Sequence, residues 1–96
     1  MTTPPALIVP FIHLNGTSPD VLYAALRETA DALADARSLL HKACPHGRDY
    51  YPYPNADDQM NLAVKQHSRR IVTITRLIDE LAREAEHISL HSQEQR

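Results

Sequence analysis

Apolar residues recur at helical spacing in two long stretches and break off between them. In residues 19–43, Leu26, Leu33 and Leu40 return every seven positions, while Leu22, Thr29, Ala36 and Ala43 occupy the alternate positions of the same seam. From residue 60 onward Met60, Val64, His67, Ile71, Ile74, Ile78, Leu81, Ala85 and Ile88 advance in alternating steps of four and three. That is the period of left-handed, coiled-coil-like helix packing. Helix-end signals bracket both stretches. Ser18 can cap, Pro19 suits the first helical position because its missing N–H is not needed there, and Asp20 complements the helix dipole. Pro45 and Gly47 stop the first helix; Asn55 offers a cap for the second, with Asp57 and Asp58 in its first turn. The pattern predicts an arm over 1–17, a helix over 18–44, a connector over 45–55, a helix over 56–91 and a tail over 92–96.

Two helices joined by about eleven residues fold back on each other, so the expected fold is all-α, an antiparallel two-helix hairpin with an extended N-terminal arm. A lone hairpin has a thin core, and small elongated chains of this kind need a metal, a disulfide or a partner subunit. Leu39, Leu62, Val72 and Leu77 lie off the main stripes, and the arm Ala6-Leu7-Ile8-Val9-Pro10-Phe11-Ile12 is apolar as well. The expectation is a homo-oligomer whose interface the arm helps to close, with a dimer the commonest outcome.

Composition narrows the function. Ninety-six residues allow one domain. The formal net charge of −2 lacks the strongly basic balance of a binder of DNA or long RNA. A single cysteine excludes an internal disulfide framework and suits a reducing compartment. The longest apolar run ends at Pro10, and Met1-Thr2-Thr3-Pro4-Pro5 lacks the features of a signal peptide. A soluble cytoplasmic protein with no membrane partner is expected.

Two non-helical segments carry chemistry. His13-Leu14-Asn15-Gly16-Thr17 contains the tight-turn pair Asn15-Gly16 and brings hydroxyls to a helix N-terminus, where anions bind; its plainer reading is a turn with a capping residue. The connector holds three of the four tyrosines beside Arg48. Tyr50 and Tyr51 offer flat faces for a base, and Arg48 a fork of donors for phosphate or carboxylate. The plainer alternative packs the tyrosines on the helix ends and pairs Arg48 with Asp49. On the second helix Lys65, Arg69, Arg70 and Arg76 occur with no acid between Asn61 and Ile78, and Asp79, Glu80, Glu84 and Glu86 follow. Such runs commonly form solvated faces that pair across subunits, but His67 in the seam and Arg70 beside it are polar groups that need partners. His41, Cys44 and His46 could ligate a metal, and His87 and His91 share a helix face. With no second cysteine the strong zinc patterns are absent, so neither metal nor cofactor is expected. No acid–base pair or oxyanion element stands near Cys44, and the chain is read as non-enzymatic.

His13-Leu14-Asn15-Gly16-Thr17 ahead of a leucine–alanine helix, with Gly47-Arg48-Asp49-Tyr50-Tyr51 before a second helix, resembles small uncharacterised proteins of phages and prophages. In size and shape the chain is also similar to the helical-hairpin nucleotide sponges of phages. These are non-enzymatic oligomers that sequester cyclic-oligonucleotide or ADP-ribose-derived signals of bacterial defence systems such as CBASS and Thoeris. The resemblance implies a sponge in the host cytoplasm that binds a small anionic nucleotide between subunits. On that reading Arg48 and Arg70 hold phosphates, Tyr50 or Tyr51 stacks on a base, Asn15 and Thr17 fix ribose or phosphate oxygens, and His13 and His67 complete the site. The alternative is a helical module that binds or inhibits a host protein, with the tyrosines as anchors.

Overall fold

The computed structural model describes residues 6–92, Ser92 by its backbone alone. The expected tail beyond Ser92 and the first five residues of the arm, on which the signal-peptide reading rested, lie outside the described residues. Helix α1 runs Pro19–Lys42 and helix α2 runs Ala56–Ser92, with a single 3-10 turn, Gly47–Asp49, between them. The described residues contain no strand. Both helix starts follow the local chemistry. The Ser18 side chain accepts the Val21 N–H at 3.3 Å, and Pro19 opens the helix. At α2 the Asn55 carbonyl accepts the Gln59 N–H at 3.1 Å, with Asp57 and Asp58 in the first turn. Helix α1 ends two residues earlier than expected. Ala43 leaves the helical run, its N–H turning back to the Leu40 carbonyl at 3.0 Å.

The two helices pack as an antiparallel hairpin measuring 65 × 30 × 17 Å. Its radius of gyration is 19.5 Å, against about 12.5 Å for a compact domain of this length. Such a slab is one helix layer thick, and few side chains are fully enclosed. The buried apolar residues are Ile12, Ala30, Ala85 and Ile88. Antiparallel topology sets the start of α1 beside the end of α2, so Ile12, Ala85 and Ile88 belong to the same end of the slab. Of the arm, Ile12 is buried and Val9 and Pro10 half-buried, while Ile8 and Phe11 remain exposed. Helix α2 is amphipathic but nowhere apolar enough over a sufficient length to cross a membrane; nor is α1.

The α2 seam follows the expected positions except at Val64, which is exposed, Ala63 being drawn in beside it. The α1 seam needs a larger correction. Leu22, Leu26, Leu33 and Leu40 turn inward, but Thr29, Ala36 and Ala43 are exposed, and Ala30, Ala34 and Arg37 take the inner positions. The track 26, 30, 33, 37, 40 keeps the four-three step, with Ala30 the one small residue on it. Arg37 fits because its aliphatic stem packs while its head reaches out, donating to Thr75 Oγ1 at 3.2 Å.

Candidate functional site

Thr17 and Ser18 close the arm, and α1 then carries the chain to the opposite end of the slab before the connector begins. Twenty-four helical residues at 1.5 Å rise span about 36 Å. His13, Asn15 and Thr17 therefore occupy one end of the hairpin, and Arg48, Tyr50 and Tyr51 the other. Within one chain the expected ligand-binding residues do not converge.

At the arm end, the tight turn is present: the Gly16 N–H donates to the His13 carbonyl at 3.2 Å. His13, Asn15 and Thr17 are all exposed, and so is Leu14. The Ser18 hydroxyl already serves the helix N-terminus, and Asp20 adds a negative charge there. An anion finds one donor fewer and a repelling carboxylate at that site.

The connector end is built more tightly. His46 Nδ1 accepts the Arg48 N–H at 3.1 Å, and the His46 carbonyl accepts from Asp49 at 3.0 Å. The Gly47 carbonyl takes the N–H groups of both Tyr50 and Tyr51 at 3.0 Å, and the Tyr50 carbonyl takes that of Tyr53. This ladder fixes the backbone and divides the aromatic rings. Tyr50 is half-buried and stacks on Tyr53, with ring centroids 6.4 Å apart and planes 25° from parallel. Tyr51 points out, 74% exposed. Arg48 is exposed and makes no ion pair or side-chain hydrogen bond among the described residues; in particular it does not pair with Asp49. A cavity of ≈ 230 Å³ beside the tyrosines is lined by Asp49, Pro52, Tyr53 and Pro54. Its one charged group is an acid.

His67 and Arg70, three residues apart, have unlike surroundings. Arg70 is exposed. His67 is 4% exposed in the interhelical seam, with Nε2 2.9 Å from the Leu40 carbonyl and a buried Nδ1 that has no partner. The geometry makes Nε2 the protonated donor, leaving Nδ1 as the bare lone pair. Leu40 lies in the last turn of α1, where carbonyls lack the usual helical partner four residues on, and its oxygen accepts the Ala43 N–H as well. His67 thus caps the C-terminus of α1 from across the hairpin, which gives the seam histidine a structural role that sequence spacing alone did not reveal.

Sequence reasoning passed over one further feature. A shallow depression of ≈ 410 Å³ on one flank of the hairpin is lined by Tyr23, Arg27, Asp79, Ala82, Arg83 and Glu86, among others. Arg83 pairs with Asp79 at 3.3 Å within it, and Arg27 with Asp31 outside it at 3.8 Å, both one helical turn apart. Such exposed pairs contribute little to stability, but they mark this flank as solvated. His87 and His91, read from the sequence as sharing a helix face, make a ring contact with centroids 4.1 Å apart. Among the described residues no group of three or more His, Cys, Asp or Glu side chains is placed to hold a metal ion. Compared with protein families, curated proteins and solved structures, the chain matches none.

Proposed function

We propose that this chain is a non-enzymatic helical-hairpin binding module whose contact surface is the connector tip, and that its partner is a protein. The supporting observation is the pairing state of the tip: Arg48 and Tyr51 are presented on a hydrogen-bonded turn, exposed and without partners among the described residues. Arginine and tyrosine are the residue types that most often anchor protein interfaces, because each buries a large surface with little rotamer freedom to lose per contact made. Arg48 and Tyr51 stand outside the ≈ 230 Å³ cavity at this end, which Asp49, Pro52, Tyr53 and Pro54 line, and so are placed to enter a partner's cleft. The tip does not enclose a small molecule, since a ligand pocket buries most of the ligand's surface. Affinity-tagged protein with intact Arg48 and Tyr51 retains a host protein that the Arg48→Ala/Tyr51→Ala variant loses, with the helical content of both the same. Equal retention by the two forms overturns the reading.

A second reading, capture of a small anionic nucleotide between copies in the manner of phage sponges, draws support from the same arginine, which makes no ion pair with the neighbouring Asp49. It requires His13, Asn15 and Thr17 to come from another copy. Cyclic di- and trinucleotides and ADP-ribose derivatives then raise the melting temperature. A ligand at one hundred times its Kd adds about 2.7 kcal/mol, a shift on the order of ten degrees or more for a chain of this size. A panel that leaves the melting temperature unchanged removes this reading and leaves the first intact.

A further inference from the structure

The two flanks of the hairpin are chemically unlike. Thr75, Ala82 and Ser89, seven residues apart, form one edge of α2, and the Arg37–Thr75 bond and the charged depression at Tyr23 and Arg27 lie along it. The other edge of α2, across the seam, is Ala63, Arg70, Leu77 and Glu84, again seven apart. Beside it on α1 run Leu22, Thr29, Ala36 and Ala43, with Leu33 and Leu40 half-buried behind them. On this second flank Arg70 and Glu84 are the only charged residues of either edge. Leu77, midway between them, is 43% exposed. Neither Arg70 nor Glu84 makes an ion pair or side-chain hydrogen bond among the described residues.

We propose that this flank is the interface of a two-fold symmetric antiparallel dimer of hairpins, in which Leu77 meets Leu77 of a second copy and Arg70 and Glu84 form reciprocal ion pairs across the axis. Three observations converge. First, Arg70 and Glu84 stand one double turn to either side of Leu77, so a two-fold through Leu77 sets each against its opposite charge, twice. Isologous contacts require such self-complementarity. Second, α1 obeys the same axis. Leu40 faces His67 and Arg37 faces Thr75 across the hairpin, so one to two turns further on, Leu33 is level with Leu77. Leu26 and Leu40 lie symmetrically about Leu33, and the axis that pairs the charges of α2 also brings Leu26 of one copy to Leu40 of the other. Third, the area fits. The chain exposes 7705 Å², whereas a compact monomer of 10.8 kDa exposes about 5,500 Å². The excess, about 2,200 Å² over the whole elongated chain, is enough to supply the roughly 1,000 Å² or more that each member of an obligate homodimer buries. The product is a four-helix bundle with α1 against α1 and α2 against α2, its core supplied by the leucines that a single hairpin leaves half-buried.

The proposal is independent of the connector; loss of partner binding at Arg48 leaves it standing, and the reverse holds. Sedimentation of the full chain tests it. The unmodified protein is expected to be a dimer, Arg70→Glu and Glu84→Arg each to weaken dimerisation by about tenfold or more through like-charge contacts, and the double charge swap to restore it. Arg70 is exposed and Glu84 half-buried at the rim of the seam, so far-UV circular dichroism of each variant checks that the hairpin itself persists. In a Cys44→Ser background Leu77→Cys is expected to form an interchain disulfide on the axis. Arg70→Cys is not, because in the antiparallel pair its two copies lie about 21 Å apart along the helix, beyond disulfide reach. A monomer throughout, single reversals that dimerise like the unmodified chain, a double swap no better than the singles, or ready self-linking at position 70 overturns the proposal.

Discussion

Replacing His67 by leucine is expected to leave the hairpin as stable as before or to stabilise it, although the substitution deletes a hydrogen bond at 2.9 Å in the most enclosed stretch of the connector half. Three contributions decide the sign. Losing the bond to the Leu40 carbonyl costs about 0.5–1.5 kcal/mol, and no more, because that carbonyl also accepts the Ala43 N–H at 3.0 Å and is not orphaned. Removing the imidazole also removes a buried Nδ1 with no partner, a liability of about 1–3 kcal/mol. Leucine then fills the same seam position with apolar surface, in step with Ile71 and Ile74, adding up to about 1–2 kcal/mol more. The midpoints of these contributions sum to a gain of about 2.5 kcal/mol, at about 4–8 °C in Tm for each kcal/mol in a chain of this length. His67→Ala makes the contrast. It loses the bond and leaves a cavity, and is expected to cost about 2–4 kcal/mol. Urea unfolding followed by far-UV circular dichroism, at two protein concentrations so that association is separated from folding, gives both midpoints. A loss of more than about 1 kcal/mol for His67→Leu refutes the reasoning, since it means that Nδ1 is engaged after all.

Other substitutions probe the remaining joints. Ile88→Ala, at a fully enclosed side chain, is expected to cost about 2–5 kcal/mol, whereas Leu14→Ala, at a side chain 103% exposed, should fall within about 0.5 kcal/mol of zero; equal losses in thermal melts would contradict the placement of the arm. Ser18→Ala removes the acceptor of the Val21 N–H and is expected to cost about 1 kcal/mol, with Ser18→Asp restoring it. Gly47→Ala should stabilise by about 0.4–1 kcal/mol. Its φ is not positive and a new Cβ meets nothing within 4 Å, so the gain comes from a less flexible unfolded chain; a lower urea midpoint would count against this.

Helix limits and the α2 seam were legible because Ile, Leu and Met contrast with their polar neighbours and capping residues stand at the ends. The α1 seam was legible only at its leucines. Alanine carries too little apolar surface to declare which side it faces, so Thr29, Ala36 and Ala43 fit a heptad on paper as well as Ala30 and Ala34 do. Arg37, a charge at an inner position, cannot be guessed from periodicity; it depends on Thr75 lying opposite to take its donor. Separation of the two loop segments was implicit in the hairpin itself, for a helix of this length between two motifs keeps them at opposite ends of one chain. The role of His67 was not implicit, because the group it serves is a backbone carbonyl, which leaves no mark in a sequence.

The connectivity of the slab also predicts an order of events during folding. Leu40 and His67 are 27 residues apart and Arg37 and Thr75 are 38 apart, while Tyr23 reaches the same depression as Leu90, near the far end of α2. Each doubling of the loop to be closed costs about 0.6 kcal/mol more entropy, so pairing is expected to begin beside the connector and advance toward the open end. The most enclosed residues, Ala85 and Ile88, belong to the last contacts made. The histidine bridge at the connector is the starting stitch, and the arm, through Ile12, is the clasp that fastens the hairpin once it has closed.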